Sequence, residues 1–343
     1  MAGLARCVYA HVGARTHLAI MLGMIVVGVW VGGLAMAQPD QPVGFDPKTL
    51  PLFTEGQLYL GQWETGLYPG GRNEMPAEHL QAGLRVAQAV RPRDAAGSID
   101  EENGRIVGLV LGHSNTTLYF TALQEHLQAH ADELNDRFAL VVGSVAGQQL
   151  PEILRLTGPV WDKSDRYIQR AGCTRQQVQV LFLHTTFNGP GNPSGIGPPP
   201  PPFPESMQRM QRDVATVLAH CVSLYPNLRM AYLTTDGLRQ FSGMEPHVWR
   251  EAFGSKWLIE SQIRGDEGTQ FEDTDGRARR LPWLCWGPYI WDNTWDRSYF
   301  TDGVHPTPET RRIFVEKYWQ HLKADPVARS WLFRAEPANG DGA

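Results

Sequence analysis

The chain has 343 residues, of which 42% are hydrophobic and 20% are charged, and its formal net charge is −5. This composition suits a large folded core and excludes a collagen-like or wholly disordered chain. No basic patch is evident in the sequence, so nucleic acid is not an expected partner.

Residues 1–37 have the pattern of an export signal. Arg6 and Arg15 precede an uncharged apolar run, 18–34, and the small residues of segment 35–37 (Ala-Met-Ala) suit a signal peptidase. The apolar run also approaches membrane-spanning length, so an uncleaved anchor is the alternative. In both cases we expect the body of the chain to be exported (secreted, periplasmic or at the cell surface), with a membrane contact only if the segment is not cleaved.

After this segment, residues 38–104 contain little regular pattern and are predicted to be an N-terminal extension that packs on the core. Apolar segments then alternate with helical patterns over residues 105–325, and residues 326–343 are left as a C-terminal tail. Strands are predicted at 105–111, 138–142, 178–184, 230–234 and 281–291. Helices are predicted at 117–134, 205–224, 246–263 and 308–323. This alternation predicts an α/β fold: a three-layer αβα sandwich around a central, mostly parallel five-stranded sheet of flavodoxin-like type.

Three cysteines follow the export segment, namely Cys173, Cys221 and Cys285. An exported protein can form a disulfide. The sequence does not assign the pairing, and Cys173–Cys221 is our hypothesis because both residues flank the same predicted strand–helix unit. No Cys or His spacing is typical of zinc, so neither a metal nor a cofactor is expected.

The stretch LVLGHSNTT (109–117) places Ser114 just after the first predicted strand of the sheet. Active sites of parallel sheets lie at the carboxyl ends of the strands. The amino end of the next helix would also favour an anionic oxygen. Ser114 is therefore a candidate nucleophile, although a helix cap is an equally good interpretation of this stretch alone.

A serine nucleophile needs a base, and the base needs an orienting acid. Asp302 and His305 lie three residues apart in TDGVHPTP (301–308), just before the last predicted helix. A turn in this segment can bring the carboxylate to one imidazole nitrogen. By itself the pair also fits a turn-forming aspartate and a surface histidine.

Together, the serine after the first strand and the D-x-x-H segment before the last helix resemble the SGNH/GDSL hydrolase superfamily. The resemblance is closer to an exported, poorly characterised subgroup and covers most of residues 55–325. It is carried by GLYPGGRN (66–73), YPNLRMAYLTTDG (225–237), EPHVWREAFGSKWLIESQI (245–263), WGPYIWDN (286–293) and the D-x-x-H segment. One departure is His113, which stands where the family's name implies aspartate.

The resemblance implies a serine esterase in which Ser114 is the nucleophile, His305 the base and Asp302 the acid that orients it. The oxyanion would be held by the Ser114 N–H, by Gly147 with Gly143 as its rival, and by Asn188. The segment around Asn188 departs from the family's usual Gly-x-Asn-Asp.

We expect a small-molecule or carbohydrate substrate that carries a short acyl group, such as acetyl. Asn115, His184, Trp286 and Trp291 are candidate substrate-binding residues, with a structural role as the alternative for His184 and core packing as the alternative for the tryptophans. Two other functions stay open: a non-catalytic extracellular glycan-binding protein on the same fold, and an α/β-hydrolase-type esterase or lipase. The sequence leaves the oligomeric state open.

Overall fold

A computed structural model of the protein describes residues 51–187, 201–237, 245–272, 279–292 and 294–334. Its strands are β1 (Leu58–Tyr59), β2 (Trp63–Glu64), β3 (Ile106–Gly112), β4 (Phe138–Val142), β5 (Val178–His184), β6 (Met230–Asp236) and β7 (Trp283–Ile290). Its α-helices are α1 (Ala77–Ala87), α2 (Ser114–Ala129), α3 (Leu150–Ile153), α4 (Pro159–Arg170), α5 (Glu205–Leu224), α6 (His247–Arg264), α7 (Pro308–Ala324) and α8 (Pro326–Leu332). The predicted export segment, 1–37, lies outside the described residues.

Five strands form one parallel sheet in the order β4-β3-β5-β6-β7, and β1 pairs with β2 in a separate antiparallel ribbon. Side chains alternate between the two faces of the sheet. Leu109 and Leu111 of β3 pack into one hydrophobic cluster, whereas Val110 packs into the other. Helices α3 to α6 contribute to the first cluster, and α1, α2, α7 and α8 contribute to the second. The predicted α/β sandwich with a five-stranded parallel sheet is therefore confirmed.

The strand order determines where a site can form. Counted along the chain, the five strands lie in the order 2-1-3-4-5, and the chain runs from β3 to one side of the sheet first and then to the other. Such a change of direction leaves a crevice at the carboxyl ends of the strands on either side of it. That crevice lies at the ends of β3 and β5, which are Gly112 and His184.

The segment before the sheet is more regular than predicted, because α1 forms within the range that we expected to lack regular structure. Gly83 lies in the middle of α1, and glycine weakens a helix by about 1 kcal/mol relative to alanine. A Cβ at this position would lie 2.4 Å from Cζ2 of Trp283. Close packing of α1 on Trp283 therefore requires glycine at position 83, and the same glycine makes α1 difficult to predict from the sequence.

The segments before and after the main sheet are also packed into the fold. In α8, four side chains are at most 2% exposed, although no element was predicted beyond residue 325. They are Val327, Ala328, Trp331 and Leu332. Before the sheet, the Trp286 indole N–H donates to the Leu67 carbonyl at 2.7 Å, which links the 51–104 segment to β7.

The proposed Cys173–Cys221 disulfide is wrong. Cys173, Cys221 and Cys285 are all buried free thiols. Burial raises the pKa of the Cys221 and Cys285 thiols well above their ordinary range, so these two stay protonated at neutral pH. They behave as small core side chains, whose pairing cannot be judged from their positions along the sequence.

Candidate active site

The serine turn is the one-residue connection between β3 and α2. A Cβ at Gly112 would lie 2.0 Å from the His184 carbonyl oxygen, so only glycine fits where the chain leaves the sheet. His113 is extended, and α2 begins at Ser114. The N–H groups of a helix's first turn have no partner within the helix. Ser114 therefore stands where a developing negative charge would be stabilised.

The acid–base loop is residues 301–307, immediately before α7. The Asp302 carboxylate accepts hydrogen bonds from the backbone N–H of His305 at 2.8 Å and of Val304 at 3.0 Å. It also lies 2.7 Å from Nδ1 of the His305 imidazole. The backbone and imidazole hydrogen bonds of His305 hold the pKa of Asp302 well below its usual range. The carboxylate is therefore ionised and favours the imidazole tautomer with its proton on Nδ1.

The two segments meet across the site. Nε2 of His305 lies 3.0 Å from Oγ of Ser114, although the two residues are 191 positions apart in the chain. The Asn115 amide donates to the Val304 carbonyl at 3.1 Å, which holds the serine turn against the acid–base loop. With the Nδ1 proton donated to Asp302, the Nε2 lone pair faces the serine hydroxyl, which is the geometry of a base that can accept its proton.

The structure distinguishes between the candidate oxyanion donors by whether their N–H groups already have an acceptor. The Gly143 N–H already donates to the Val110 carbonyl at 3.0 Å, so it is not free to bind an oxyanion. Gly147 has a φ of +75° and open space around it, and the described residues provide no acceptor for its N–H. The Val145 N–H donates to the Gly112 carbonyl at 3.1 Å and holds this loop against the serine turn. Asn188, the third candidate, lies outside the described residues.

A buried polar cluster lies beneath the serine turn. Nε2 of His184 is 3.2 Å from Oδ1 of Asp236, and the rings of His184 and His113 meet edge to face at 5.2 Å between centroids. Burial and the nearby His184 lower the pKa of His113 to about 3, so His113 is neutral. Burial raises the pKa of Asp236, but the electrostatic interaction and hydrogen bond with His184 outweigh this effect and leave the pKa below its usual value.

Thr116 joins this cluster to the serine turn. Its Oγ1 donates to the His184 carbonyl at 2.5 Å and accepts from the His113 N–H at 3.1 Å. The residue is fully buried, so each of these bonds is protected from water. The hydroxyl therefore fixes the residue just before Ser114 to the end of β5.

The residues predicted to bind substrate are in the interior. Asn115 and His184 are 2% and 1% exposed, and Trp286 and Trp291 are 2% and 5% exposed. These buried side chains expose little surface to a substrate, and substrate binding by them stays a prediction. Asn115 and His184 position other parts of the site, and the two tryptophans belong to the core cluster. With both tryptophans buried, their side chains offer little surface to a glycan.

Sequence reasoning missed Asp236, Thr116 and Glu251. Asp236 is signalled only as a polar residue two positions after a predicted strand, and Thr116 only as a polar residue just before a predicted helix. Glu251 is buried, and it accepts hydrogen bonds from the Thr186 hydroxyl at 2.8 Å and the Phe187 N–H at 2.7 Å. Burial raises the pKa of Glu251. It holds the two residues that immediately precede Asn188, and no local pattern in α6 indicates this role.

Within the described ranges, no group of three or more His, Cys, Asp and Glu side chains is placed to hold a metal ion.

No helix in the described part of the chain is both long enough and apolar enough to cross a membrane.

Comparison with models of known protein families finds no match for this chain, and comparison with curated proteins finds none either. The arrangement of Ser114, His305 and Asp302 is therefore the main support for a function. In addition, β3 is the first strand of the main sheet, whereas α/β-hydrolases have several strands before the nucleophile.

Proposed function

We propose that the protein is a serine ester hydrolase of the SGNH/GDSL type. The observation that carries the proposal is the continuous hydrogen-bonded chain from Ser114 Oγ to His305 Nε2 and from His305 Nδ1 to Asp302. It lies at the carboxyl end of β3, where the strand order of the sheet favours a ligand crevice. Hydroxyl, imidazole and carboxylate in this order are the groups that nucleophilic acyl transfer requires.

In the proposed reaction, His305 accepts the Ser114 proton while Oγ attacks the ester carbonyl carbon. The tetrahedral intermediate collapses when His305 returns the proton to the departing alcohol oxygen, which leaves an acyl group on Ser114. Water then attacks the acyl carbon as His305 takes its proton, and the acid is released. Asp302 stays ionised throughout and stabilises the imidazolium that forms twice.

The negative oxygen of each tetrahedral intermediate would be held by backbone donors. The Ser114 N–H stands at the first residue of α2, and the Gly147 N–H stands on the loop that is fixed to the serine turn. Asn188 is the third proposed donor. Removal of one such donor typically lowers turnover by about 100-fold or more.

The proposed substrate is a short acyl ester, such as an acetyl ester, met outside the cytoplasm if the predicted export signal operates. The side chains of Asp302 and His305 are 57% and 41% exposed, so the acid–base loop is open to solvent and to a bound ester. No metal or cofactor takes part in the proposed steps, because the serine, imidazole and carboxylate together supply the nucleophile and every proton transfer.

The test is hydrolysis of 4-nitrophenyl acetate by the full chain and by Ser114→Ala. We expect the substitution to lower kcat by about 10⁴-fold or more, because it removes the nucleophile. Ser223→Ala, which changes an exposed serine on α5, is the matched control and should keep the wild-type rate. Equal rates for wild type and Ser114→Ala would contradict the assignment.

A further inference from the structure

An open pocket of about 440 Å³ lies beside the serine turn. One wall is formed by Thr117 and residues 144–146, and the other wall is formed by α4. The Thr117 hydroxyl is 2.9 Å from Oγ of Ser144, so the first wall is continuous. Thr117 follows Ser114 by three residues in α2, a spacing that puts Cβ atoms roughly 5–6 Å apart. The pocket therefore begins within one helical turn of the nucleophile.

The α4 wall of this pocket is basic. Lys163, Arg166, Tyr167 and Arg170 line it, and their spacing of three and four residues puts them on one face of the helix. All four are exposed, and Tyr167 is one of the few large hydrophobic side chains exposed in the described ranges. The Arg170 guanidinium lies 5.8 Å from the centroid of the Tyr167 ring, a cation–π contact that supports this arginine beside the pocket.

The charges of this wall are not neutralised by the helix itself. Asp165 of α4 forms an ion pair with Arg175, and Asp162 also interacts with Arg175. Within the part of the chain that the structure describes, Lys163, Arg166 and Arg170 form no ion pair with a carboxylate. The chain as a whole carries a net charge of −5, so the positive charge of this wall is opposite in sign to the net charge of the protein.

We propose that this pocket binds an anionic group of the substrate, a carboxylate or a sulfate, next to the ester bond that Ser114 attacks. The proposal rests on the esterase function proposed above and names its substrate class, an anionic ester. Arginine binds a carboxylate or sulfate through two parallel hydrogen bonds, and Lys163 adds a point charge. Charge at this pocket would therefore favour an anionic ester over a neutral one.

The experiment uses two pairs of esters that differ mainly in charge. On the alcohol side, 3-acetoxybenzoate is compared with neutral 3-acetoxybenzamide. On the acyl side, 4-nitrophenyl hemiglutarate is compared with neutral 4-nitrophenyl pentanoate. We expect kcat/KM of the full chain to favour the anionic member of at least one pair by about tenfold at low salt. High salt should reduce the preference, because exposed charges are screened.

The double variant Arg166→Gln/Arg170→Gln should lose this preference, because its kcat/KM for the anionic esters should fall about tenfold relative to its kcat/KM for the neutral esters. The control is Arg212→Gln/Lys317→Gln, which removes the same charge from α5 and α7 and should keep the preference. Equal kcat/KM for both members of both pairs would overturn the proposal, as would a preference that survives in Arg166→Gln/Arg170→Gln.

A binding measurement separates this proposal from the esterase proposal. Calorimetry measures the affinity of 3-hydroxybenzoate and glutarate for Ser114→Ala, which needs no turnover. We expect at least one of them to bind about tenfold more weakly when Arg166→Gln and Arg170→Gln are added. This result would support the anion pocket even if no ester were hydrolysed. The anion-pocket proposal is overturned if neither acid binds to Ser114→Ala. It is also overturned if each acid binds equally well with and without Arg166→Gln and Arg170→Gln. Either result holds whatever the hydrolysis assay shows.

Discussion

The Asp302–His305 pair and the Asp236–His184 pair, both at the carboxyl end of the sheet, differ in exposure. The side chains of Asp302 and His305 are 57% and 41% exposed, whereas those of Asp236 and His184 are 10% and 1% exposed. The exposed pair is joined at 2.7 Å and the buried pair at 3.2 Å. Only His305 lies within hydrogen-bonding distance of the Ser114 hydroxyl.

The difference in exposure between the two pairs shows that residue type alone does not determine the role of a histidine or a carboxylate. Both carboxyl groups have pKa values below the usual range, so both pairs hold a charged acid beside an imidazole. An imidazole that exchanges protons with substrate and water must be accessible to them. The exposed pair meets this condition, and the buried pair is suited to position the serine turn through Thr116 and His113.

The different roles of the two histidines can be tested by changing each of them to glutamine. His305→Gln removes the base and should lower kcat by about 10⁴-fold, with little change in the free energy of unfolding because His305 is exposed. His184→Gln disturbs the buried hydrogen bond between His184 and Asp236 and should lower the free energy of unfolding by about 1–3 kcal/mol, while kcat of the folded protein stays within about tenfold. Both quantities are measured on the same samples, by ester hydrolysis and by urea unfolding.

If His184→Gln lowered kcat as much as His305→Gln does, the buried pair would take part in the chemistry and the distinction would be wrong. The distinction would also fail if His305→Gln left kcat unchanged.

The pH dependence of stability tests the buried polar cluster beneath the serine turn. Burial and the neighbouring His184 lower the pKa of His113 to about 3 from its ordinary 6.5, so the unfolded chain takes up a proton on His113 at higher pH than the folded protein does. This stabilisation is complete above pH 6.5 and is lost as the pH falls towards 3. Each pKa unit corresponds to 1.36 kcal/mol, so the full loss is on the order of 3–5 kcal/mol.

The corresponding variant is His113→Asn, which has no imidazole to protonate. Urea unfolding at pH 7, 6, 5 and 4 should show a free energy of unfolding that decreases less steeply in the variant than in wild type. Parallel curves would mean that His113 is not held neutral by the fold.

The smallest change in kcat and stability is expected when the Thr116 hydroxyl, which joins the buried polar cluster to the serine turn, is removed. Thr116→Val keeps the shape of the side chain but leaves the His184 carbonyl and the His113 N–H without the hydroxyl. We expect the free energy of unfolding to fall by about 1–3 kcal/mol and kcat to fall about tenfold, because the turn that holds Ser114 is less well fixed. Thr116→Ser keeps the hydroxyl and is the control. A Thr116→Val protein with wild-type stability and kcat would show that the bond does not position the turn.

The strands of the sheet and the residues of the exposed pair could be predicted because their signals are local. Segments 138–142 and 178–184 are predicted with the bounds that the structure gives, since buried parallel strands are short apolar runs between polar segments. Ser114 is found from its place after the first of these strands. Asp302 and His305 lie only three residues apart, and the resemblance to the SGNH/GDSL superfamily pairs them with Ser114.

The parts that could not be predicted depend on packing between distant segments. Burial of Trp286 and Trp291 is decided by what lies over β7, which their spacing does not show. The link from His184 to Asp236 joins the ends of two neighbouring strands, and its partners are 52 residues apart. The basic face of α4 becomes evident only once that helix is placed beside the loop that follows β4.

We propose that Ser114 is an activated nucleophile. The most direct test of this proposal is covalent labelling of the full chain with a fluorophosphonate, followed by tryptic digestion and mass spectrometry. Trypsin cuts after Arg105 and Arg137, so residues 106–137 form one peptide that contains Ser114. We predict that the label adds to Ser114 in this peptide and that Ser114→Ala is not labelled. An unlabelled wild-type peptide, or a label found equally in Ser114→Ala, would contradict the account.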